Sequence, residues 1–573
     1  MLIKLPKYKF SDSKVIFREK QKDYDIFENE STIVFVYGYP YSTQSDKWVN
    51  SNDIYNSYIT KRFDFIHLID GLYSITIIDK IQNISFFIVD RYGVYSLFYY
   101  KCTNYILITD NIKEITNNLP EVKLNQQSII EYLNFGFKIG NKTHINEIYE
   151  FEAAKKYEIG IDLIIKKDTY WDLLGLTEND KISYDKFREI FNNYHKKILN
   201  IGNTMCIPFT GGCDTRTILS AYVNNLDKIK TYTHGPQHHT DVTLAKKVSS
   251  ALKIPHNFYN LDEKWFKDLV KKVSSNTEDF NGLNCFFDYI HTFESIEKEQ
   301  NNADVFFSGV LGNQLYRNHP FGNNSPDSMN ISTILGFILK NIPSVLNFKA
   351  DLSSYYENLF NGLSIDEIKK QIKKSVEKEL FKANGAAKAI DYLQYFLFSS
   401  YSANVASNSM KVIGKHFKTI GSFFHKDLLQ QIKFMGLNER TSASIQNFII
   451  KQNSPYLSKL PYYNTGRIVK YAKLVTNKLS SHIIKKDLFA DPNLVNYPYF
   501  IRKQHKDFLL KTLDYEKMKS KKLFNKKELN KLINQFIENK SSFRNKRALL
   551  FNFSLDKFII NLISLELWLK GIK

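Results

Sequence analysis

Two glycines, an aspartate, two threonines and an arginine lie within seven residues of the chain, directly after an apolar segment. The run Thr210-Gly-Gly-Cys-Asp-Thr-Arg216 follows the apolar residues 206–209 and precedes a helix-like stretch. Paired glycines let a backbone come close to an anion. A helix start adds unpaired N–H groups and the positive end of the helix dipole. This pattern is typical of a loop that binds a polyphosphate.

The polar side chains of this loop each have a use at a polyphosphate. Thr210 and Thr215 can donate hydroxyl hydrogen bonds, and Asp214 can hold Mg²⁺ directly or through water. Arg216 can neutralise phosphate charge. The loop lacks the lysine of a Walker A motif, which argues against an ordinary P-loop. The alternative interpretation is a plain strand-to-helix turn, because Gly-Gly and Asp-Thr both favour such turns.

Strands and helices alternate around this loop. We predict strands at 205–209 and 229–233, and helices at 216–225 and 241–253. Such alternation indicates a parallel sheet that is covered on both faces. Beyond about residue 332 the spacing of the apolar residues is mainly helical.

The first 175 residues show a different pattern. Short runs rich in Ile, Phe, Tyr and Val predict strands at 32–38, 71–90 and 97–100. A polar, turn-forming stretch at 176–181 marks a domain boundary. Because 573 residues exceed what one hydrophobic core usually serves, we expect two domains, at 1–175 and 182–573.

The net charge of +20 invites a nucleic-acid interpretation, but the charge is mostly dispersed. Its densest run, 519–527, lies in a helix-like segment where a solvated basic face is the simpler interpretation, so a nucleic-acid partner is not favoured. Four cysteines without CxxC pairing indicate neither a disulfide framework nor a zinc site and fit the cytoplasm. The apolar stretch 331–348 is interrupted by Lys340, Asn341 and Pro343, so no membrane span is predicted.

The loop at 210–216 resembles the Ser-Gly-Gly-x-Asp-Ser loop of asparagine synthetases and related N-type ATP pyrophosphatases, with threonine at both serine positions. The segments 229–236 and 241–256 resemble the second strand, the D-x-x-x-A helix and the Leu-Gly-x-x-His ending of that family, in the family's order. In that family the end of the second strand carries the adenine. The resemblance therefore makes Thr233 and His234 candidates for the nucleotide site.

A third segment, 305–316, resembles the family's L-S-G-D-G-x-D-E-L-F element, which binds pyrophosphate and magnesium. Three positions match the element, namely Ser308, Gly309 and Leu315. Three positions that are usually acidic do not match, namely Val310, Asn313 and Gln314. Amide oxygens can ligate a metal but add no charge, so we expect weaker Mg²⁺ binding, or binding mainly by Asp214 and ATP itself. The lack of a tyrosine at Val310 argues against the β-lactam-closing chemistry of some relatives.

The first region resembles the glutaminase domain of the same family. Residues 70–79 and 90–99 are similar to its D-G-x-F-A and D-R-x-G signatures. An active glutaminase of this type exposes cysteine as its processed N-terminal residue. Here Met1 is followed by Leu2, and Tyr37-Gly-Tyr-Pro40 occupies the region of the family's Asn-Gly-Glu element. We therefore expect no glutamine hydrolysis, with ammonia arriving free or the attacking amine belonging to another substrate.

The resemblance implies an α/β fold. An N-terminal Ntn-hydrolase-like α+β sandwich would be followed by a doubly wound parallel-sheet ATP pyrophosphatase domain with a helical C-terminal part. The implied reaction uses ATP and Mg²⁺ to activate a carboxylate as its acyl-adenylate, which ammonia or an amine attacks to give an amide. Peptide, natural-product or surface-glycan modification would be a setting for such a reaction. A homodimer or a pathway protein is a candidate partner.

The resemblance also implies site residues. Those for the cofactor are Pro208, Thr210, Gly211, Gly212, Asp214, Thr215, Arg216, Thr233, His234, Ser308, Gly309 and Gly312. The catalytic candidates are Asp214, Arg216, Lys451 and Lys470, with Lys459 as a further choice for the family's transition-state lysine. The metal candidates are Asp214 and Asn313.

Two alternative functions stay open. The altered positions Val310, Asn313 and Gln314 would suit a catalytically degenerate descendant that serves as a binding or assembly module. The positive charge and the shared loop would suit an adenylating enzyme that modifies RNA, although no RNA-binding module is recognisable.

Overall fold

The computed structural model describes residues 1–8, 10, 13–16, 23–174, 182–276, 280–312, 358–383, 386, 389–436, 439, 442–460, 496–539 and 555–573. The predicted boundary at 176–181 lies outside these residues, and so do Asn313, Gln314 and Lys470. The roles assigned to those positions stay predictions.

Two antiparallel sheets form the N-terminal part. Their strands are β1 (Leu2–Pro6), β2 (Lys14–Ile16), β3 (Tyr24–Glu28), β4 (Thr32–Ser42), β5 (Ile69–Asp79), β6 (Ile84–Val89), β7 (Phe98–Lys101), β8 (Tyr105–Thr109), β9 (Ile148–Glu150), β10 (Lys155–Gly160) and β11 (Ile165–Thr169). One sheet has the order β2-β1-β8-β7-β9 and the other the order β11-β10-β6-β5-β4-β3. The predicted strands at 32–38, 71–90 and 97–100 are thereby confirmed.

The apolar residues of these strands alternate between two cores. Ile3 and Ile108 of one sheet share a core with Phe35 and Phe87 of the other. The opposite face of the six-stranded sheet, including Val34, packs against helices. The described helices of this part are α1 (Ser51–Lys61), α2 (Phe65–Leu68), α3 (Ile112–Asn117) and α4 (Gln126–Phe135). Since side chains alternate along a strand, each sheet buries both faces and the predicted α+β sandwich is confirmed.

A parallel sheet forms the second part. Its strands are β12 (Met205–Pro208), β13 (Ile229–Gly235), β14 (His256–Asn260), β15 (Val305–Ser308) and β16 (Lys418–Gly421), in the order β14-β13-β12-β15-β16. Every neighbouring pair is parallel. Its helices up to residue 300 are α5 (Tyr184–Ile201), α6 (Cys213–Ser220), α7 (Thr240–Ala251), α8 (Glu263–Lys267), α9 (Leu269–Asn276) and α10 (Ile290–Glu299). The alternation predicted from the sequence is confirmed.

One predicted helix is misplaced. The sequence predicts a helix at 216–225, whereas α6 runs from Cys213 to Ser220. Gly212 is its N-cap, with extended backbone angles of φ −71° and ψ 174°. The helix therefore begins within the polyphosphate-like loop itself.

The C-terminal part is helical, as predicted. Its helices are α11 (Ile365–Leu380), α12 (Ala389–Phe396), a π-helix (Leu397–Ala406), α13 (Ser407–Gly414), α14 (Lys426–Gln430), α15 (Ser444–Asn453), α16 (Pro455–Lys459), α17 (Tyr497–Gln504), α18 (Lys506–Thr512), α19 (Lys526–Ile537) and α20 (Leu555–Lys570). Within the described ranges, no helix is both long enough and apolar enough to cross a membrane.

Two apolar cores join the sandwich to the rest of the chain. Tyr95 of the sandwich shares a core with Ile207 and Phe307 of the parallel sheet. Ile129 of α4 shares another with Phe558 of α20. Large apolar contacts of this kind hold neighbouring parts of a chain in a fixed relation, so the sandwich serves as a rigid support for the parallel sheet.

Candidate functional site

The order of the parallel sheet places the two loops of interest side by side. From β12 the chain continues to β13 and β14 on one side, while β15 and β16 lie on the other. The loops that follow β12 and β15 therefore leave in opposite directions at the carboxyl edge of the sheet. Ligands of open α/β sheets bind in the crevice at such a switch point. The described residues at that crevice include 209–212 and 308–312.

The loop after β12 is shaped by its two glycines. Gly211 has a φ of +69°, and a Cβ there would lie 2.8 Å from Cβ of Leu244. Gly212 caps α6 without any side-chain hydrogen bond to the helix start. The Thr210 hydroxyl accepts a hydrogen bond of 3.3 Å from the Gly212 N–H. The first turn of α6 thus follows two glycines and has the positive end of the helix dipole, which suits an anion.

Asp214 lies where the two loops meet. Its Oδ1 accepts a 2.7 Å hydrogen bond from Nε2 of Gln446. A Cβ on Gly312 would lie 2.6 Å from that same Oδ1, and a Cβ on Gly309 would lie 3.3 Å from Cβ of Asp214. The second loop can approach Asp214 this closely only because both of these positions are glycine.

Gln446 is a site residue that the sequence analysis missed. It lies on α15 with 1% of its surface exposed. Its Nε2 also contacts the carbonyl oxygen of Gly312 at 3.3 Å, and its Oε1 accepts from Sγ of Cys213 at 3.3 Å. One side chain therefore ties α15 to both loops. No local pattern signals this role, because Gln446 is separated from Asp214 by 232 positions.

Arg216 lies behind the loop. It is fully buried and donates to the carbonyl oxygens of Leu460 at 2.6 Å, Leu457 at 3.3 Å and Gly211 at 3.0 Å. These bonds fasten the loop to the end of α16. To neutralise phosphate charge, the guanidinium would have to leave these carbonyls, so that role stays a prediction.

The loop after β15 is held by Ser308, the last residue of that strand. Oγ of Ser308 accepts a 3.1 Å bond from the Val310 N–H, and the Ser308 carbonyl accepts one of 3.1 Å from the Ser422 N–H. Val310 packs against the apolar core. The position where the family usually has aspartate thus contributes apolar packing here.

Further predicted cofactor residues lie on the first loop and the neighbouring strand. Pro208 ends β12, and the Thr215 hydroxyl contacts the Gly212 carbonyl at 3.5 Å. Thr233 of β13 donates its hydroxyl hydrogen bond to the Phe209 carbonyl. These residues lie around the switch point, and their role in binding a ligand stays a prediction.

His234 follows Thr233 at the same edge of the sheet. Its Nδ1 lies 3.3 Å from Oγ of Ser295, and its ring centroid lies 4.6 Å from that of His291. Burial lowers the pKa of His234 well below its ordinary value, and the neighbouring His291 lowers it further. His234 is therefore a neutral hydrogen-bonding group at neutral pH.

The lysine candidates are exposed or lie outside the described residues. Lys451 is exposed on α15, five positions after Gln446. At 3.6 residues per turn, five positions place it on a different face of the helix from Gln446. Lys459 is exposed at the end of α16. The catalytic roles of Lys451, Lys459 and Lys470 stay predictions.

Two acids of the signatures at 70–79 and 90–99 lie in the sandwich. Asp90 is fully buried and accepts hydrogen bonds from the main-chain N–H groups of Tyr73, Tyr92, Gly93 and Val94 at 2.9, 2.5, 2.7 and 3.3 Å. Burial raises the pKa of Asp90 to about 7, against the lowering effect of these N–H groups. Asp70 pairs with Arg91 at 3.2 Å and accepts from the Lys426 N–H at 2.8 Å. In this structure both acids bind other groups of the chain and so stabilise the fold.

Comparison with known proteins agrees with the motifs. Residues 35–171 match a family model described as a glutamine amidotransferase domain. A putative glutamine-hydrolysing asparagine synthetase of Methanocaldococcus jannaschii is 24% identical over 336 residues, which cover 54% of this chain and 62% of that relative. The chain is asparagine synthetase-like. Its match nevertheless spans less than two thirds of the length of that relative.

Two solved structures also resemble parts of this asparagine synthetase-like chain. An NH3-dependent NAD synthetase from Campylobacter jejuni, in complex with a nitrate ion, is 14% identical and covers 35% of this chain and 88% of its own, with a TM-score of 0.19. A glutamine-dependent NAD+ synthetase from Acinetobacter baumannii, in complex with ADP, is 10% identical and covers 48% and 66%, also with a TM-score of 0.19. Scores this low carry no argument about the site.

Proposed function

We propose that this chain is an ATP-dependent amide ligase that releases AMP and pyrophosphate. An oxygen of a carboxylate substrate attacks the α-phosphorus of ATP, and the bond to pyrophosphate breaks. Ammonia or an amine then attacks the acyl carbon of the adenylate, and AMP leaves. The observation that carries the proposal is the meeting of the loops 209–212 and 308–312 at Asp214, at the switch point of the parallel sheet.

The first loop supplies hydrogen-bond donors for the phosphates. Gly212, the N-cap of α6, has no side chain to stand before the helix start, and Gly211 and Gly212 leave the backbone accessible to an anion. The hydroxyls of Thr210 and Thr215 lie on the same loop. Donors fixed in place before the reaction stabilise the charge that spreads over a departing pyrophosphate without further reorganisation. Ser308 and Gly309 lie across the crevice, where they would contact the pyrophosphate.

The site fits Mg²⁺ only as an ion shared with the nucleotide. Within the described part of the chain, no group of three His, Cys, Asp or Glu side chains could hold a metal. Mg²⁺ at nucleotide sites commonly takes one or two carboxylates together with phosphate oxygens and water. Asp214 would be its protein ligand, with Asn313 as a further candidate, and the ion would supply positive charge beside the phosphates.

The nucleobase would lie near the end of β13. Thr233 and His234 stand on the strand next to β12, on the side of the crevice away from β15. A neutral His234 can donate to or accept from a base edge. We therefore assign these residues to the nucleotide side of the crevice and the loop after β15 to the pyrophosphate side.

We also propose that the chain divides into units 1–175 and 182–573, and that the first does not hydrolyse glutamine. Cys102 is the sole cysteine of the segment 35–171. Its Sγ donates to the Tyr105 carbonyl at 3.4 Å in the turn between β7 and β8, so the thiol is engaged at a turn. Ammonium chloride should therefore support amide formation, whereas glutamine should release no glutamate in a coupled glutamate assay. Release of glutamate at the rate of amide formation would overturn this part.

The experiment that tests the ligase proposal is substrate-dependent ATP–pyrophosphate exchange. The matched variants are Asp214→Asn and Asp227→Asn, because Asp227 is an exposed aspartate beyond α6. We expect Asp214→Asn to lower exchange by about 100-fold or more, as the loss of one preorganised electrostatic group does in other enzymes. Asp227→Asn should match the unaltered chain.

Two results would point elsewhere. If candidate carboxylates give no exchange and calorimetry shows no binding of Mg-ATP, the binding-module alternative is the correct one. If exchange requires added RNA, the RNA-modifying alternative is correct.

A further inference from the structure

A cavity of about 130 Å³ lies between the sandwich and the C-terminal helices. Residues 150–155, Thr169 and residues 171–173 line one wall, and residues of the segment 379–404 line the other. Its lining includes neither of the loops that meet at Asp214. Small-molecule sites occur preferentially at such junctions between parts of a chain.

The lining of this cavity is balanced in charge. It has four cations and four carboxylates, namely Arg91, Lys138, Lys155 and Lys382 against Glu150, Glu152, Asp172 and Glu379. Lys382 pairs with Glu152 and with Glu379, and Lys138 pairs with Glu150 at 2.5 Å. Arg91 pairs with Asp70 outside the cavity. A balanced lining favours a ligand without net charge over a polyanion.

Lys155 and Asp172 are the exceptions to this pairing. Within the described residues, neither takes part in an ion pair, although each affects the electrostatics of the other. Nζ of Lys155 donates to the Thr169 hydroxyl at 2.5 Å, and Oδ1 of Asp172 accepts from the Leu174 N–H at 2.9 Å. Burial lowers the pKa of Lys155 and raises that of Asp172. In both groups the effect of partial burial outweighs that of nearby opposite charges, which for Lys155 are Glu152 and Asp172.

The far wall has an unusual backbone. The π-helix Leu397–Ala406 runs for ten residues, and π-turns are rare and occur frequently at functional sites. Oγ of Ser399 on this wall and Nε1 of Trp171 opposite are buried and have no hydrogen-bond partner in the described part of the chain. Buried polar groups without partners are uncommon unless a ligand or water satisfies them. Phe398 and Tyr395 add apolar surface to the same cavity.

We propose that this cavity is a binding site for a free α-amino acid. The ligand's carboxylate lies at the Lys155 ammonium and its ammonium group at the Asp172 carboxylate. Its side chain packs against Trp171 and Phe398. A zwitterion supplies a further counter-charge to Lys155 and another to Asp172 at once, and it leaves the net charge of the lining unchanged. The proposal goes beyond the ligase function and does not depend on it.

Calorimetry on the full chain tests the proposal with L-alanine, L-leucine, L-glutamine and L-aspartate as probes. Propionate and propylamine are the matched probes with one charge each. We expect at least one amino acid to bind with a dissociation constant of about 1 mM or tighter. Each single-charge analogue should bind about 10-fold more weakly or worse, since it makes only one of the two charge contacts.

Charge variants assign the binding to the cavity. Lys155→Met and Asp172→Asn should each weaken the amino acid by about 10-fold or more. The controls Lys166→Met and Asp168→Asn alter charges on β11 whose side chains are each 70% exposed, and these variants should bind like the unaltered chain. Ala403→Leu fills the cavity from the π-helix without touching either charge, and it should also abolish binding.

Three results would overturn the proposal. The first is that none of the four amino acids binds to the unaltered chain. The second is that binding persists unchanged in Lys155→Met and Asp172→Asn, or in Ala403→Leu where a charge variant fails to fold. The third is that propionate binds as tightly as L-alanine, which would leave the ammonium group without a role. Each result is independent of ATP–pyrophosphate exchange.

Discussion

Two aspartates that follow buried strands play different parts in this molecule. Asp90 comes directly after β6 and accepts hydrogen bonds from four main-chain N–H groups within residues 73–94. Asp214 is the second residue of α6 and accepts a hydrogen bond from the side chain of Gln446, which lies on a helix distant in sequence. One acid is enclosed by the backbone of its own sheet and turn. The other is positioned by a residue from elsewhere in the chain.

The surroundings of the two acids also differ, since Asp90 lies within a closed turn and Asp214 lies between two loops. Around Asp90 the turn closes on itself, and the adjacent Arg91 pairs with Asp70. Around Asp214 two loops converge from neighbouring parallel strands, and Gly309 and Gly312 leave room beside it. An acid that is saturated by local N–H groups stabilises a fold. An acid that is held at a crevice between two loops can serve a ligand, because its neighbours are positioned before the ligand arrives.

The largest expected effect concerns the stability that Asp90 supplies. Asp90→Ala would leave four buried N–H groups without their acceptor, and we expect the free energy of unfolding to fall by about 3 kcal/mol or more. Urea denaturation measures this change. Asp162→Ala is the matched control, since the exposed Asp162 carboxylate accepts one N–H in a turn, from Ile164.

The activity of the same variant tests whether Asp90 has a part in the reaction. Exchange per folded molecule should be unchanged in Asp90→Ala if its role lies within the sandwich. A variant that stays as stable as the unaltered chain but loses exchange would show that Asp90 belongs to the reaction.

The next effect tests the convergence of the loops. In Gly312→Ala the new Cβ would lie 2.6 Å from Oδ1 of Asp214 and 2.7 Å from Cε2 of Phe423, so the carboxylate or the loop must move. A misplacement of about 1 Å can cost about 100-fold in rate, and we expect a loss of that order in ATP–pyrophosphate exchange. Gly160→Ala is the control, because its nearest atom is Oδ1 of the exposed Asp162 at 3.3 Å. Normal exchange in Gly312→Ala would argue that Asp214 has no part in the reaction.

The local part of this site was predictable from the sequence. The strand at 205–208, the glycines after it and the polar residues at the helix start lie within a dozen positions, and such patterns follow from short-range sterics and hydrogen bonding. The start of α6 was predicted three positions too late. A pattern of apolar residues does not register a glycine N-cap, and that cap sets where the helix begins.

The long-range part was not predictable. Gln446 and the partners of Arg216 are set by how α15 and α16 pack on α6, and sequence spacing contains no record of that packing. The family's pattern suggested that Arg216 neutralises phosphate, and that role stays a prediction; its hydrogen bonds to carbonyl oxygens behind the loop were not foreseen. The cores shared by the sandwich and the helices were also not predictable, because the sequence shows that a residue is apolar but not which other apolar residue it packs against.

A smaller effect is expected from the residue that positions Asp214. Gln446→Met keeps the shape of the side chain but removes its donor to Asp214 and to the Gly312 carbonyl. We expect kcat of exchange to fall by about 10-fold, with a higher Mg²⁺ concentration at half-maximal rate, since a lost hydrogen bond of this kind is worth about 1–2 kcal/mol. Gln452→Met, at an exposed position of the same helix, is the control. A purely structural role would lower stability without moving the Mg²⁺ dependence.

The smallest effect concerns a third acid, which is held neither by its own turn nor at the crevice. Glu152 pairs with Lys167 at 2.6 Å and with Lys382, so it joins the sandwich to the residues after α11. Burial raises the pKa of Glu152, but the two lysines outweigh burial and lower it to about 2 from the ordinary 4.5. Because the folded state binds this proton less readily than the unfolded chain, the pair stabilises the fold above pH 4.5. That stability is lost as the pH falls toward 2.

Glu152→Gln should therefore cost about 1–2 kcal/mol at pH 7, and the difference from the unaltered chain should shrink as the pH falls through that window. Urea denaturation at pH 7, 4 and 3 measures it. Glu158→Gln is the control on β10, where the partner, Lys166, is 70% exposed. A difference that is constant with pH would mean that Glu152 stabilises the fold through packing and not through charge. Glu152 would then resemble Asp90, whose partners are uncharged N–H groups, in stabilising the fold without help from a charged partner.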